Sequence, residues 1–134
     1  MMEPTESEVG DQMSLINEMM TSIEEVREKD RQLKSIEYAR GQESIKMDGL
    51  VAKFEPPTIE DEVEWYFTNV KESEMKLKAF NVQYDKIYNE LWSLKVRVTE
   101  LIKGMEEKYP NSPFLTKYIE KVRPNLRELN IRID

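Results

Sequence analysis

Residues 58–108 read TIEDEVEWYFTNVKESEMKLKAFNVQYDKIYNELWSLKVRVTELIKGMEEK, and the spacing of their apolar side chains decides the fold. With Val63 as position a of a heptad, the a series is Val63, Val70, Leu77, Tyr84, Leu91, Val98 and Met105. The d series is Ile59, Tyr66, Ser73, Phe80, Ile87, Leu94 and Leu101. Thirteen of these fourteen positions are apolar in a chain that is 39% hydrophobic, and Ser73 is the exception. A seven-residue repeat held this long predicts a long helix that buries one stripe against another helix.

Upstream of this stretch, Pro56 and Pro57 stop whatever precedes them, since proline lacks an amide hydrogen and drives the residue before it out of helical geometry. Thr58 then caps the new helix, with Glu60, Asp61 and Glu62 placed in its first turn, where negative charge suits the helix dipole. Residues 11–54 carry a second heptad pattern: a is Met19, Val26, Leu33, Arg40, Met47 and Phe54, and d is Ile16, Ile23, Asp30, Glu37, Ser44 and Val51. Its ends are apolar and its middle polar. Gly41 and Gly49 each weaken a helix, so a break near Arg40 competes with continuity. The register passes Gly41 without a shift, which favours one helix over 11–54.

A connector of about three residues joins antiparallel neighbours, so the two patterns predict a long antiparallel helical hairpin. A pivot at Pro56 and Pro57 sets residue i level with residue 113 minus i. Arg40 then faces Ser73 and Glu37 faces Lys76, a polar layer at mid-length that either pins the register or is simply solvated.

The second helix is apolar over more than one stripe. Tyr88, Trp92 and Val96 run at i, i+4, i+8 beside the seam, and Ile102 widens it further. An oligomeric bundle therefore suits the chain better than a bare helix pair. The expected association surface is Leu77, Phe80, Tyr84, Ile87, Tyr88, Leu91, Trp92, Leu94, Val96, Val98, Leu101 and Ile102. After Lys108, Asn111, Ser112 and Pro113 start a short helix in which Phe114, Leu115, Tyr118, Ile119 and Val122 share a face; Pro124 closes or kinks it. This face is expected to rest on the broad apolar face near Trp92 and Val96, and the C-terminal segment to dock a partner. Leu129 to Ile133 alternates apolar and polar, which suits a terminal strand or a continued helix.

Composition narrows the chemistry. The chain has no cysteine and no histidine, which removes the commonest zinc ligands and the usual general base at neutral pH. Carboxylate pairs such as Glu24 with Glu28 fall at i, i+4, the ordinary pattern of a solvated helix face. No phosphate-binding loop, EF-hand or nucleophile elbow is present. Residues 1–10 read as an acidic, disordered tail, without a secretory leader, and no apolar run is long enough to span a bilayer. Net charge is −7: −6 over 1–57, −3 over 58–110 and +2 over 111–134.

The resulting expectation is an all-α, soluble, intracellular, non-enzymatic coiled-coil assembly or adaptor protein. It has three parts: the tail 1–10, the hairpin 11–109 and a C-terminal segment 110–134. It should use no cofactor, metal or small-molecule substrate. Its partners are proteins, a second copy among them, and membranes are not. The competing expectation is a regulatory factor whose basic C-terminal end, through Lys121, Arg123 and Arg127, contacts nucleic acid.

Overall fold

The computed structural model describes residues 5–53 and 58–133, and its regular elements are all helical. In order they are α1 (Glu6–Lys53), α2 (Ile59–Trp65), a π-helical turn (Tyr66–Val70), α3 (Lys71–Lys108) and α4 (Pro113–Glu128). The proline turn itself, with Phe54, lies outside the described residues.

Helix α1 runs unbroken through Gly41 and Gly49. It also starts earlier than the expected Asp11. Thr5 accepts a hydrogen bond from the Glu8 amide at 3.1 Å, so residues 6–10 are helical and not part of a tail. The signal was a Thr-x-x-Glu capping box at Thr5 and Glu8. Helix α2 starts where the sequence places it: the Thr58 hydroxyl accepts from the Asp61 amide at 3.1 Å and donates to the Asp61 carboxylate at 2.8 Å.

The π turn was not foreseen. The Lys71 amide bonds the Tyr66 carbonyl, five residues back, and the Asn69 side chain donates to the Trp65 carbonyl at 3.1 Å. Such a turn holds one extra residue and rotates what precedes it about the helix axis. The heptad positions Ile59 and Val63 are exposed, while Val70, the last residue of the turn, and Ser73 after it are buried.

The chain divides into two compact units. The bundle unit takes α1 up to Asp30, α3 from Glu90, α4 and the tail after it; the hairpin unit spans Arg31–Asn89. In the bundle unit three helices supply a shared core. Ile16, Met19, Ile23 and Val26 come from α1, and Leu91, Val98, Ile102 and Met105 from α3. Leu115, Ile119, Val122 and Leu126 come from α4, and all twelve are buried. Each set recurs at steps of three, four or their sum, seven, as one face of a helix requires.

Helix α4 continues through Pro124 to Glu128, so the proline does not end it. Burial of Leu126 on one side and Leu129 and Ile131 on the other holds the last turn in place. The end is a Schellman motif. Asn130 takes a positive φ of 57°, its amide bonds the Arg127 carbonyl at 3.1 Å, and the Ile131 amide bonds the Leu126 carbonyl at 2.8 Å. The alternating run after Leu129 is therefore neither strand nor helix: Ile131–Ile133 has no regular structure. Its alternation arises because Leu129 and Ile131 flank a left-handed asparagine and both turn inward.

In the hairpin unit, α1 and α3 run antiparallel. Arg40 donates to the Asn81 side chain at 3.2 Å and stacks 4.6 Å from the centre of the Tyr84 ring. Only Leu33, Val70 and Ser73 are buried among this unit's described residues.

Candidate interaction surface

The residues expected to carry association fall into three environments. Leu91, Val98 and Ile102 are buried in the bundle core, as are Leu115, Ile119 and Val122 from the expected docking face of α4. These six are occupied within the chain and do not present a surface to a partner. Periodicity marks a buried face, but whether the covering helix belongs to the same chain is not written in it. Leu77, Phe80, Tyr84, Ile87, Leu94 and Leu101 are half-buried, as are Phe114 and Tyr118, whose rings meet edge to face at 5.2 Å. Tyr88, Trp92 and Val96 are exposed.

The expected polar layer is not assembled. Arg40 lies beside Asn81, and Lys76 pairs with Glu72 on its own helix at 3.3 Å. Ser73 is buried without either. Tyr84 is raised above its ordinary value by burial first and then by the Glu37 carboxylate, against an opposing pull from Arg40. The pairs 40 with 81 and 37 with 84 both sum to 121, eight more than a pivot at the prolines gives. A heptad pattern looks the same after a slip of seven, so it discriminates poorly between alignments about one heptad apart. The observed one gives Arg40 an aromatic face to lie on, with no need for a buried charge beside a serine.

Two outward rows in the hairpin unit were missed. Tyr38 and Ile45 on α1 sit seven apart, as do Met75 and Val82 on α3, each pair outside the heptad series of its own helix. They are 71%, 66%, 62% and 69% exposed. One oxygen of Glu43 in the same unit is buried with no hydrogen-bond partner, a condition native proteins seldom tolerate. The clue in the sequence was apolar residues outside the heptad series, where a free-standing hairpin carries charge.

The bundle unit is closed at one end by a polar clasp. Asp11 near the start of α1 takes an ion pair from Lys108 at 2.8 Å and a hydrogen bond donated by the Tyr109 hydroxyl. Ser112 donates to the Gln12 side chain at 2.8 Å while accepting from the Leu115 amide at 3.2 Å, so one hydroxyl both caps α4 and ties it to α1. The Lys108 contact, then Tyr109, holds the Asp11 carboxyl below its ordinary value; the same bond to Asp11 pushes Lys108 and Tyr109 up. Further along, Lys29 meets Glu90 at 2.6 Å.

Between α3 and the C-terminal tail the bundle unit has an open groove of about 960 Å³. Trp92 and Val96 stand on one wall, with Leu126, Ile131 and Ile133 opposite. Thr99 ties the tail down by donating to the Arg132 carbonyl at 2.6 Å. Five basic side chains and one acidic one line the groove: Lys95, Lys103, Arg123, Arg127 and Arg132 against Glu100. Of the cations proposed to meet nucleic acid, Arg123 is held by Glu120 at 2.8 Å, Lys121 lies 5.8 Å from the Tyr118 ring centre, and Arg127 is on the groove wall.

Among the described residues no cluster of three or more carboxylates could hold a metal ion, and no helix is long and apolar enough to cross a membrane. No protein-family model, curated protein or solved structure matches the chain.

Proposed function

We propose that this chain is a non-enzymatic assembly protein whose hairpin unit is completed by further helices, its own copies' or a partner's, in a multi-helix coiled-coil complex. The observation that carries this reading is the contrast between the units. Three helices in the bundle unit bury a full core, whereas two helices in the hairpin unit leave their seam half-covered and Tyr38, Ile45, Met75 and Val82 in water. Burying one such side chain is worth about 1.5–3 kcal/mol, so added helices have much to gain here. The orphaned Glu43 oxygen calls for a donor at the same place. The long second helix supplies half of this surface through α3, as the heptads suggest.

The test is sedimentation of the full chain with far-UV circular dichroism and hydrogen exchange, on the wild type and on a Tyr38→Glu, Val82→Glu variant. Both substitutions fall on exposed side chains and spare the fold. A helical oligomer that the variant dissolves supports homotypic assembly, and rapid exchange across residues 31–89 in a monomer supports a missing partner. A monomer with the hairpin unit as strongly protected as the bundle unit overturns the proposal.

A further inference from the structure

Helix α2 presents an apolar edge with no cover. None of its residues is buried, and Ile59 is 79% exposed. Ile59 and Val63, four apart, share one helical face. At about 100° per residue, Glu60 and Glu64 flank that face on one side and Glu62 on the other. Ile59–Trp65 has four acidic residues and no basic one.

The groove of the bundle unit has the opposite character. Apolar side chains line it, and cations stand on both sides: Lys95 and Lys103 on α3, Arg127 and Arg132 on α4 and the tail. This is unexpected in a chain of net charge −7. Trp92 is 61% exposed beside it, and tryptophan is the side chain most over-represented among residues that anchor interfaces. An apolar stripe with acid on both flanks fits a trough with base on both walls.

We infer that the acidic helix α2 of a second copy of this chain docks into the groove formed by Trp92, Val96 and the C-terminal tail. Ile59 and Val63 seat against Trp92, Val96 and Ile133, and Glu60 and Glu64 meet cations of one wall while Glu62 meets those of the other. Reciprocal docking closes a dimer; one-way docking builds a chain of copies. The inference deepens the assembly reading and rests on it, but it uses neither the seam nor the outward rows of the hairpin unit, so the two fail separately.

The experiment is a charge swap followed by sedimentation at low and high salt. One variant carries Lys103→Glu with Arg127→Glu, the other Glu60→Lys with Glu64→Lys; all four side chains are exposed, and circular dichroism checks that helicity is kept. Wild type should associate more tightly at low salt. Each variant alone should weaken by about tenfold or more through like-charge repulsion, and an equimolar mixture should regain association because both contacts are again complementary. Three results overturn the inference. The first is a wild type that stays monomeric at low salt. The second is association indifferent to the groove charges but lost in Tyr38→Glu, Val82→Glu, which leaves the assembly reading standing. The third is a monomer whose groove cations instead bind polyglutamate or duplex DNA.

Discussion

Truncating Ile102 to alanine should cost far more than truncating Leu77, although both sit on the same heptad-bearing stretch and lose three carbon atoms. Ile102 is fully buried, as are Val98, Met105, Leu115 and Leu126 of the same unit. Three buried carbons are worth about 2.4 kcal/mol in transfer free energy, and an unrelaxed cavity brings the total to about 3–4 kcal/mol. Leu77 is only half-covered, so roughly half of the transfer term applies and the gap opens to water, giving about 1 kcal/mol. The assay is urea denaturation by circular dichroism at low protein concentration, with hydrogen exchange to place each loss in its unit. Repeating it at high concentration adds a discriminant: if further helices cover the seam, the Leu77→Ala cost grows with concentration and the Ile102→Ala cost does not. Equal costs for the two variants in dilute solution would refute the assignment of the core to the bundle unit.

Other outcomes follow from local features. Gly41, Gly49 and Gly104 are helical, and a Cβ built on any of them meets nothing within 4 Å, so each change to alanine should raise stability by about 0.5–1 kcal/mol in thermal melts; a loss would reveal a close approach at that point. Asp11 has its pKa lowered by Lys108 and Tyr109, so its contribution to stability is present above the ordinary value of 3.8 and disappears as pH falls through the lower folded value. Lys108 and Tyr109 are shifted up, so their contributions hold below 10.5 and 10.0 and disappear as pH rises through the higher folded values. Stability should thus be flat with respect to the clasp from about pH 4 to 10, and Asp11→Asn should remove its acid limb in pH-dependent melts. Ser112→Ala deletes a helix cap and the tie to Gln12 together, and should cost about 2 kcal/mol against about 1 for a cap alone. A urea midpoint shift no larger than that of a simple cap mutant would show that the Gln12 bond contributes nothing.

Much of the fold is legible in residue order because helix signals are local. The heptads of Met19 to Leu33 and Leu77 to Met105, the Thr58 cap and the Ser112–Pro113 start all act within a few residues of themselves. What escaped is either a count or the choice of a face. The slip that sets Arg40 against Asn81 differs from the proline-pivot alignment by about one heptad, a distance over which a heptad pattern discriminates poorly. The burial of Leu91, Ile102 and Ile119 was readable, but not which face of α3 would be covered, since Trp92 and Val96 stay exposed. Asn130 stops the helix in the left-handed region, whereas the alternation around it reads as a strand or a continued helix. Of the candidate surface, Trp92 and Val96 were visible as a stripe beside the seam. The cations facing them were not, because Lys95 and Lys103 meet Arg127 and Arg132 only once the tail turns back at Asn130.

The π turn at Tyr66–Val70 makes the phase of the helix depend on a single residue. A π turn spends one extra residue on about the rotation of an α turn, so removing one amino acid from those five would restore ordinary α geometry and leave Ile59 and Val63 facing as they do now. Reversion to α geometry at unchanged length would instead swing everything before the turn by about 100°, and the acidic flanks would move with it. A substitution that abolishes the turn could thereby re-aim the acidic helix while leaving every side chain on it unaltered. Among lineages carrying this chain, substitutions within the turn are expected to rewire associations more sharply than the loss of its extra residue does.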